Sequence, residues 1–219
     1  MRGKLNGSVL SKNRTGNYIR NKITPVNPQT TYQMNARAIF AAMSQAWAGL
    51  SQVQRNGWAA LAATLPFTDI FGDPKILTGQ NMFVKLNSNL LKIGEPQIDA
   101  APLKEAIPAI QISALVATQT AGALTVLDAT IVPTTVPAGF AVVVFATPAI
   151  NPGVSFVKNQ FRMIGVAPAP AVGVISLATL WNARYGGLSA GQKVFVRFAL
   201  VSESSGQQGI PSEAVDIAT

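Results

Sequence analysis

The spacing of apolar residues changes once along this chain, across a stretch carrying Pro96, Pro102 and Pro108. Upstream, apolar residues recur three and four positions apart, which gathers them on one face of a helix. Downstream, short runs rich in Val, Ile, Thr and Phe are separated by clusters of Gly, Pro, Ser and Asn, the pattern of strands and turns. One regular element cannot serve both periods, so an α+β chain with its helices and strands in separate domains is expected. At 219 residues and 48% hydrophobic content there is enough apolar material for a real core.

In the upstream part, Asn27-Pro28 reads as a helix N-cap followed by proline at the first helical position. Ala36, Ile39, Phe40, Met43, Trp47 and Leu50 follow as one buried stripe. Ser51 with Gln54 has the form of a capping box opening a second helix, with Val53, Trp58, Leu61 and Leu65 inward and Pro66 closing it. Gly57 weakens that helix by about 1 kcal/mol relative to alanine and suits a close helix crossing. Thr78 caps a third helix, whose stripe of Met82, Phe83, Leu86, Leu90 and Ile93 ends at Gly94. Residues 28–94 are therefore expected to form a three-helix domain, with 95–108 a Pro-rich linker.

Residues 109–219 contain the runs "AIQISALVA", "ALTVLDATIV", "FAVVVFAT", "QFRMIGVA", "GVISLATL" and "KVFVRFALV", and "GIPSEAVDIAT" supplies a last strand. Lys193 to Val201 alternates, with Val194, Val196, Phe198 and Leu200 on one face. Strands at these spacings predict an all-β sandwich of the immunoglobulin or fibronectin-type-III kind.

Charge is divided as sharply as hydrophobicity. Before Asp69 stand eight basic residues and no acidic one, whereas the remainder carries nine of each, so the net charge of +8 belongs to the first third. Residues 1–27 form an extended basic arm with turn chemistry at Asn6-Gly7 and Thr15-Gly16. Val9, Tyr18, Ile19 and Ile23 are too few to build a core of their own, so such an arm orders by lying on something else. Arg2, Lys4, Lys12, Arg14, Tyr18, Arg20 and Lys22 are its partner-binding residues. Two kinds of partner stay open: acidic patches on a neighbouring protein, and the phosphates of a nucleic acid, along which these cations and one stacking ring could run.

Catalytic and metal chemistry find few materials. With no His and no Cys, the chain has no imidazole or thiolate ligands, no Cys nucleophile and no Ser-His pair. The nine carboxylates are scattered, and Asp69 with Asp73 in "TDIFGDPK" reads as turn-forming. "AGLSQ" and "GLSAG" lack the G-x-S-x-G pattern, and neither a phosphate-binding nor a dinucleotide-binding fingerprint occurs. No enzyme and no cofactor are expected. Pro133, Pro137, Pro148 and Pro152 break the longest uncharged stretch, 129–157, leaving no span of about 20 residues to cross a bilayer. Trp47 and Trp58 lie in register with helical stripes and read as core. Trp181 and Tyr185 in "LATLWNARYGGLSAGQ" read as core and corner aromatics of the sandwich, or, with Asn182 and Arg184, as a surface patch for a ligand.

The ordered run "NRTGNYIRNKITPVNPQTTYQMNARAIFAAMSQAWAGLSQVQRNGWAALA", followed by "LTGQNMFVKLNSNLLKIG", resembles a group of proteins encoded by tailed bacteriophages and prophages. The shared outline is a Gly- and Arg-bearing arm, an Asn-Pro helix start, a Trp-containing helical hairpin and a G-x-N-x-F helix. It is carried here by Arg14, Gly16, Tyr18, Arg20, Asn27, Pro28, Gln33, Arg37, Trp47, Leu50, Gln54, Arg55, Trp58, Gly79, Asn81 and Phe83, and covers roughly residues 5–94. The β-rich remainder is similar to immunoglobulin-like modules appended to virion proteins, with Val194 or Phe195 where such modules carry a tyrosine.

The resemblance implies a non-enzymatic virion structural protein, made in the bacterial host cytoplasm. Its arm and helices would dock onto capsid, portal, head–tail or tail subunits, and its sandwich would face outward. Homo-oligomers or many-copy arrays are expected, with no membrane partner. A nucleic-acid-binding protein using the arm on phosphates is the alternative, and a host-surface adhesin using Trp181, Asn182, Arg184 and Tyr185 is the third reading.

Overall fold

The computed structural model describes residues 3–13, 16–24, 26–68, 73–168 and 173–219. The chain is α+β, with small antiparallel sheets and, among the described residues, no closed barrel, and divides into two compact units, Met1–Ala38 and Ile39–Thr219.

The first unit begins with an antiparallel meander of β1 (Gly3–Leu5), β2 (Ser8–Asn13) and β3 (Gly16–Asn21), in the order β1-β2-β3. Asn6, at φ 48°, and Gly7 make the first turn as their sequence predicts, and the Lys22 N–H donates to the Gly7 carbonyl at 2.7 Å. Arg14 and Thr15, where the sequence predicts a second turn, lie outside the described residues, as does Arg2. The arm is thus a small sheet rather than a single extended strand.

Helix α1 spans Thr31–Gly49, so Asn27-Pro28 does not open it. Gln29 sits at φ 48°, outside helical space, and the Thr30 hydroxyl accepts from the Gln33 N–H at 3.4 Å. The Asn27 Oδ1 instead accepts from Arg37 Nη2 at 3.0 Å.

In the second unit, α1 continues and is followed by α2 (Gln52–Thr64) and α3 (Gly79–Ile93). Ser51 forms both halves of the expected capping box, Thr78 caps α3, and Gly94 ends it at φ 89°. Met43, Leu50, Trp58, Leu61, Met82, Phe83 and Leu86 bury one another, and the Trp58 ring meets Phe83 edge-on at 5.2 Å. The close helix crossing lies at Gly79, where a Cβ would come within 2.9 Å of the Ala59 nitrogen; Gly57 instead faces the Ala101 methyl. Three residues of the expected stripes point outward, Ala36, Phe40 at 61% exposure and Val53 at 81%. Between α2 and α3, β4 (Phe67–Thr68) pairs with β5 (Pro74–Lys75); Asp69 lies outside the described residues.

Residues 95–108 are not a free linker. Buried Asn87 on α3 accepts from the Ile98 N–H at 2.7 Å and donates to the Ile98 carbonyl at 3.1 Å, while Trp58 Nε1 donates to the Asp99 carbonyl at 2.9 Å. Further on, Gln207 donates to the Leu103 carbonyl and accepts from the Glu105 N–H, and Ser205 donates to the Glu105 carboxylate at 2.8 Å. The segment is a strap tied to α2 and α3 at one end and to a turn of the β-rich part at the other. Asn89 Nδ2 adds a bond from α3 to the Gly206 carbonyl at 3.0 Å. Helices and strands therefore share one compact unit, because buried amides satisfy backbone groups across the junction.

Beyond the strap, the described strands form two sheets. One has the order β10-β7-β6, from β6 (Gln111–Thr120), β7 (Ala123–Val132) and β10 (Val174–Ser176). The other has the order β12-β11-β8-β9, from β8 (Phe140–Ala146), β9 (Arg162–Val166), β11 (Lys193–Ser202) and β12 (Ser212–Ile217). Leu127, Ala129 and Ile131 of β7, Val142 and Val144 of β8, and Val194, Val196, Phe198 and Leu200 of β11 belong to one apolar core. Full burial of a side chain of this size is worth about 1.5–3 kcal/mol. "GVISLATL" is not one strand: β10 stops at Ser176 and α4 (Ala178–Tyr185) follows.

One sheet edge in this unit is covered by side chains. On β6 the Ala117 N–H donates to Asp216 Oδ2 at 2.7 Å and the Ile112 N–H to Ser212 Oγ at 3.0 Å, so side chains of β12 occupy that edge. At β9, a Cβ on Gly165 would lie 3.0 Å from Leu180 of α4, so the helix packs on one face of that strand.

Candidate functional site

The basic residues of the arm are sorted by the pleat of the meander. β3 pairs Ser11 with Tyr18, Leu10 with Ile19 and Val9 with Arg20, so Tyr18 and Arg20 share one face while Ile19 takes the other. Lys22, two residues beyond Arg20, continues the Tyr18 side. Lys12, opposite Asn17, belongs to the Ile19 side. Lys4 pairs with Val9 through the backbone. Of the arm residues read from the sequence, the fold thus brings together Tyr18, Arg20 and Lys22 and separates Lys12; Arg2 and Arg14 lie outside the described residues.

This unit contains no carboxylate side chain at all, so none of its cations is neutralised within it. It also exposes apolar groups that the charge count alone does not reveal, Ile19 at 68%, Ile23 at 78% and Val26 at 87%. Cationic and apolar side chains therefore stand side by side at its surface.

The candidate patch on α4 is taken apart by the fold. Trp181 is 0% exposed and its Nε1 donates to the Thr147 carbonyl at 2.9 Å. The Tyr185 hydroxyl donates to the Ala146 carbonyl at 2.8 Å, and Asn182 Nδ2 to the Leu124 carbonyl at 2.7 Å. Helix α4 thereby ties β7 to the end of β8, and Arg184 lies over the Tyr185 ring at 5.9 Å. Trp181 is a member of the apolar core and offers no ring surface to a ligand, whereas Asn182, Arg184 and Tyr185 are half-buried.

Two of the clefts among the described residues border the strap. One of about 590 Å³ lies between α2 and the strap and is lined by Gly57, Leu61, Ala101, Pro102 and Leu103. Another, of about 370 Å³, is bordered by Met82, Lys85, Glu105 and Gln207. The second joins an ammonium and a carboxylate, but Glu105 is engaged by Ser205 and neither cleft gathers a nucleophile with a base. Desolvation lowers the Lys92 amine below its usual value; its Nζ donates to Asn89 at 3.2 Å, part of the junction between α3 and the β-rich part. Among the described residues no group of three Asp or Glu side chains could hold a metal ion, and no helix is long and apolar enough to cross a membrane.

No family model, curated protein or solved structure matches this chain.

Proposed function

We propose that the chain is a non-enzymatic structural subunit of a tailed-bacteriophage particle, docked onto neighbouring capsid, head–tail or tail subunits through its first unit and present in many copies. The observation that carries this reading is the contrast between the two units. Residues 1–38 hold seven basic residues and no acidic one, expose Ile19, Ile23 and Val26, and contain a three-stranded sheet with no buried side chain among the described residues. Residues 39–219 bury two large apolar clusters and carry the tied strap. A stable body with a cationic extension of weak internal cohesion suits repeated docking, where modest contacts gain strength through multivalency.

We read the paired sheets of the second unit as an immunoglobulin-like sandwich of the fibronectin-type-III kind. The division into β10-β7-β6 and β12-β11-β8-β9 around one core supports this assignment. In the particle this sandwich would face outward.

Nucleic-acid binding is the second reading, favoured by the shared face of Tyr18, Arg20 and Lys22. Trypsin applied to the free chain and to the intact particle separates the two. The docking reading expects cleavage after Lys12, Arg20 or Lys22 in the free chain, and protection in the particle that persists after nuclease treatment. Protection lost with nuclease selects the nucleic-acid reading, and equal cleavage in both forms rejects docking through this unit.

A further inference from the structure

Among the described residues the meander leaves β3 bonded to a strand on one side only, whereas at the edge of β6 Asp216 and Ser212 accept from the backbone. Every second N–H and C=O of an unpaired edge points outward and can accept a further strand. β3 contains no proline, which would have blocked such pairing.

The side chains along this edge restrict what can add to it. Tyr18, Arg20 and Lys22 succeed one another on one face, about 6.6–6.8 Å apart per pair of residues. Ile19 lies on the other face, with Ile23 just beyond the strand, both largely exposed. A second copy of β3 would bring further cations beside Arg20 and is disfavoured by like charge. The second unit, with ten basic and nine acidic residues by subtraction of the first unit from the whole, is not an acidic partner either.

We infer that the free edge of β3 binds an extended segment of a different protein in which acidic and apolar residues alternate. Its carboxylates lie across from Arg20 and Lys22, and its apolar side chains cover Ile19 and Ile23. The inference rests on the docking reading above and specifies its partner. A phosphate backbone would satisfy the cationic face but leave the apolar face uncovered, which is why a protein strand is favoured over nucleic acid.

The test uses the full chain and synthetic probes, read by fluorescence anisotropy. The probes are a short peptide alternating Glu and Val, a peptide of the same composition with its Glu and Val in separate blocks, the alternating peptide N-methylated at every second residue, and a short single-stranded DNA. The alternating peptide is expected to bind most tightly. Joint Arg20→Glu and Lys22→Glu substitution should weaken it about tenfold, two exposed ion pairs turning from attractive to repulsive. Lys12→Glu should weaken it much less, and N-methylation should weaken it as strongly as the double charge reversal. Equal binding of the block peptide, or indifference to N-methylation, overturns strand addition. So does DNA binding tighter than any peptide, and so does failure of the alternating peptide to bind. Each of these results leaves the protease-protection test of docking to stand or fall separately. The peptide comparisons need no variant, so they remain decisive if a charge-reversed chain is unstable.

Discussion

Replacing Gly206 by alanine tests whether the helices and strands of the second unit are one cooperative body. Gly206 occupies the turn between β11 and β12 at φ 68°, and a Cβ there would collide with the Leu86 carbonyl of α3 and approach Leu90 Cγ at 3.1 Å. Two costs combine. The left-handed conformation penalises any L side chain by about 1–2 kcal/mol, and forcing a methyl into a packed junction adds about 1–3 kcal/mol. Gly139→Ala isolates the first cost, since Gly139 has φ 79° and an added methyl there would meet no atom within 4 Å. In urea unfolding followed by circular dichroism, Gly206→Ala should lose about 1–3 kcal/mol more than Gly139→Ala. In a thermal melt that extra loss corresponds to about 2–4 °C for each kcal/mol in a body of this size. Equal losses for the two variants would refute the packing of α3 against this turn, and with it the reading of residues 95–108 as a strap.

Three further outcomes follow from buried polar contacts. Asn87→Ala removes both bonds to Ile98 and should cost about 1–3 kcal/mol in chemical unfolding, with tryptophan fluorescence shifted because Trp58 holds the neighbouring Asp99 carbonyl. Asp216→Ala strips the cap from the Ala117 N–H; a loss of similar size, with faster amide exchange at Ala117, is expected. Trp181→Ala should cost about 3–5 kcal/mol by opening the core between the sheets, whereas substitution at a ligand-binding surface residue would leave stability nearly unchanged.

Much of the fold is legible in the sequence because local signals and tertiary packing agree. The Ser51–Gln54 capping box, the α3 stripe ending at Gly94 and the alternation of β11 all reappear as read. The misses have physical causes. Asn27-Pro28 has cap chemistry, but Arg37 takes the Asn27 side chain and Gln29 leaves helical space, so α1 waits for Thr30. The strap reads as a linker because prolines are visible in a sequence, whereas the two amides that hold it, Asn87 and Gln207, are not marked by any pattern. Helix α4 hides in a β-rich run, although Leu177, Trp181 and Tyr185 stand at a four-residue spacing that signals it. At the candidate site, charge marks the basic unit directly. The division of its cations between two faces depends on strand register, and the exposure of Ile19, Ile23 and Val26 depends on how little core the meander builds.

The central claim is that the first unit is a docking element for other protein subunits. A cryo-electron microscopy map of the assembled particle, focused on the surroundings of residues 3–24, tests it most directly. The account predicts protein density in contact with Arg20 and Lys22, with acidic side chains facing them. Nucleic-acid density stacked on Tyr18 and following Arg20 and Lys22, or a first unit standing free in solvent, would contradict it.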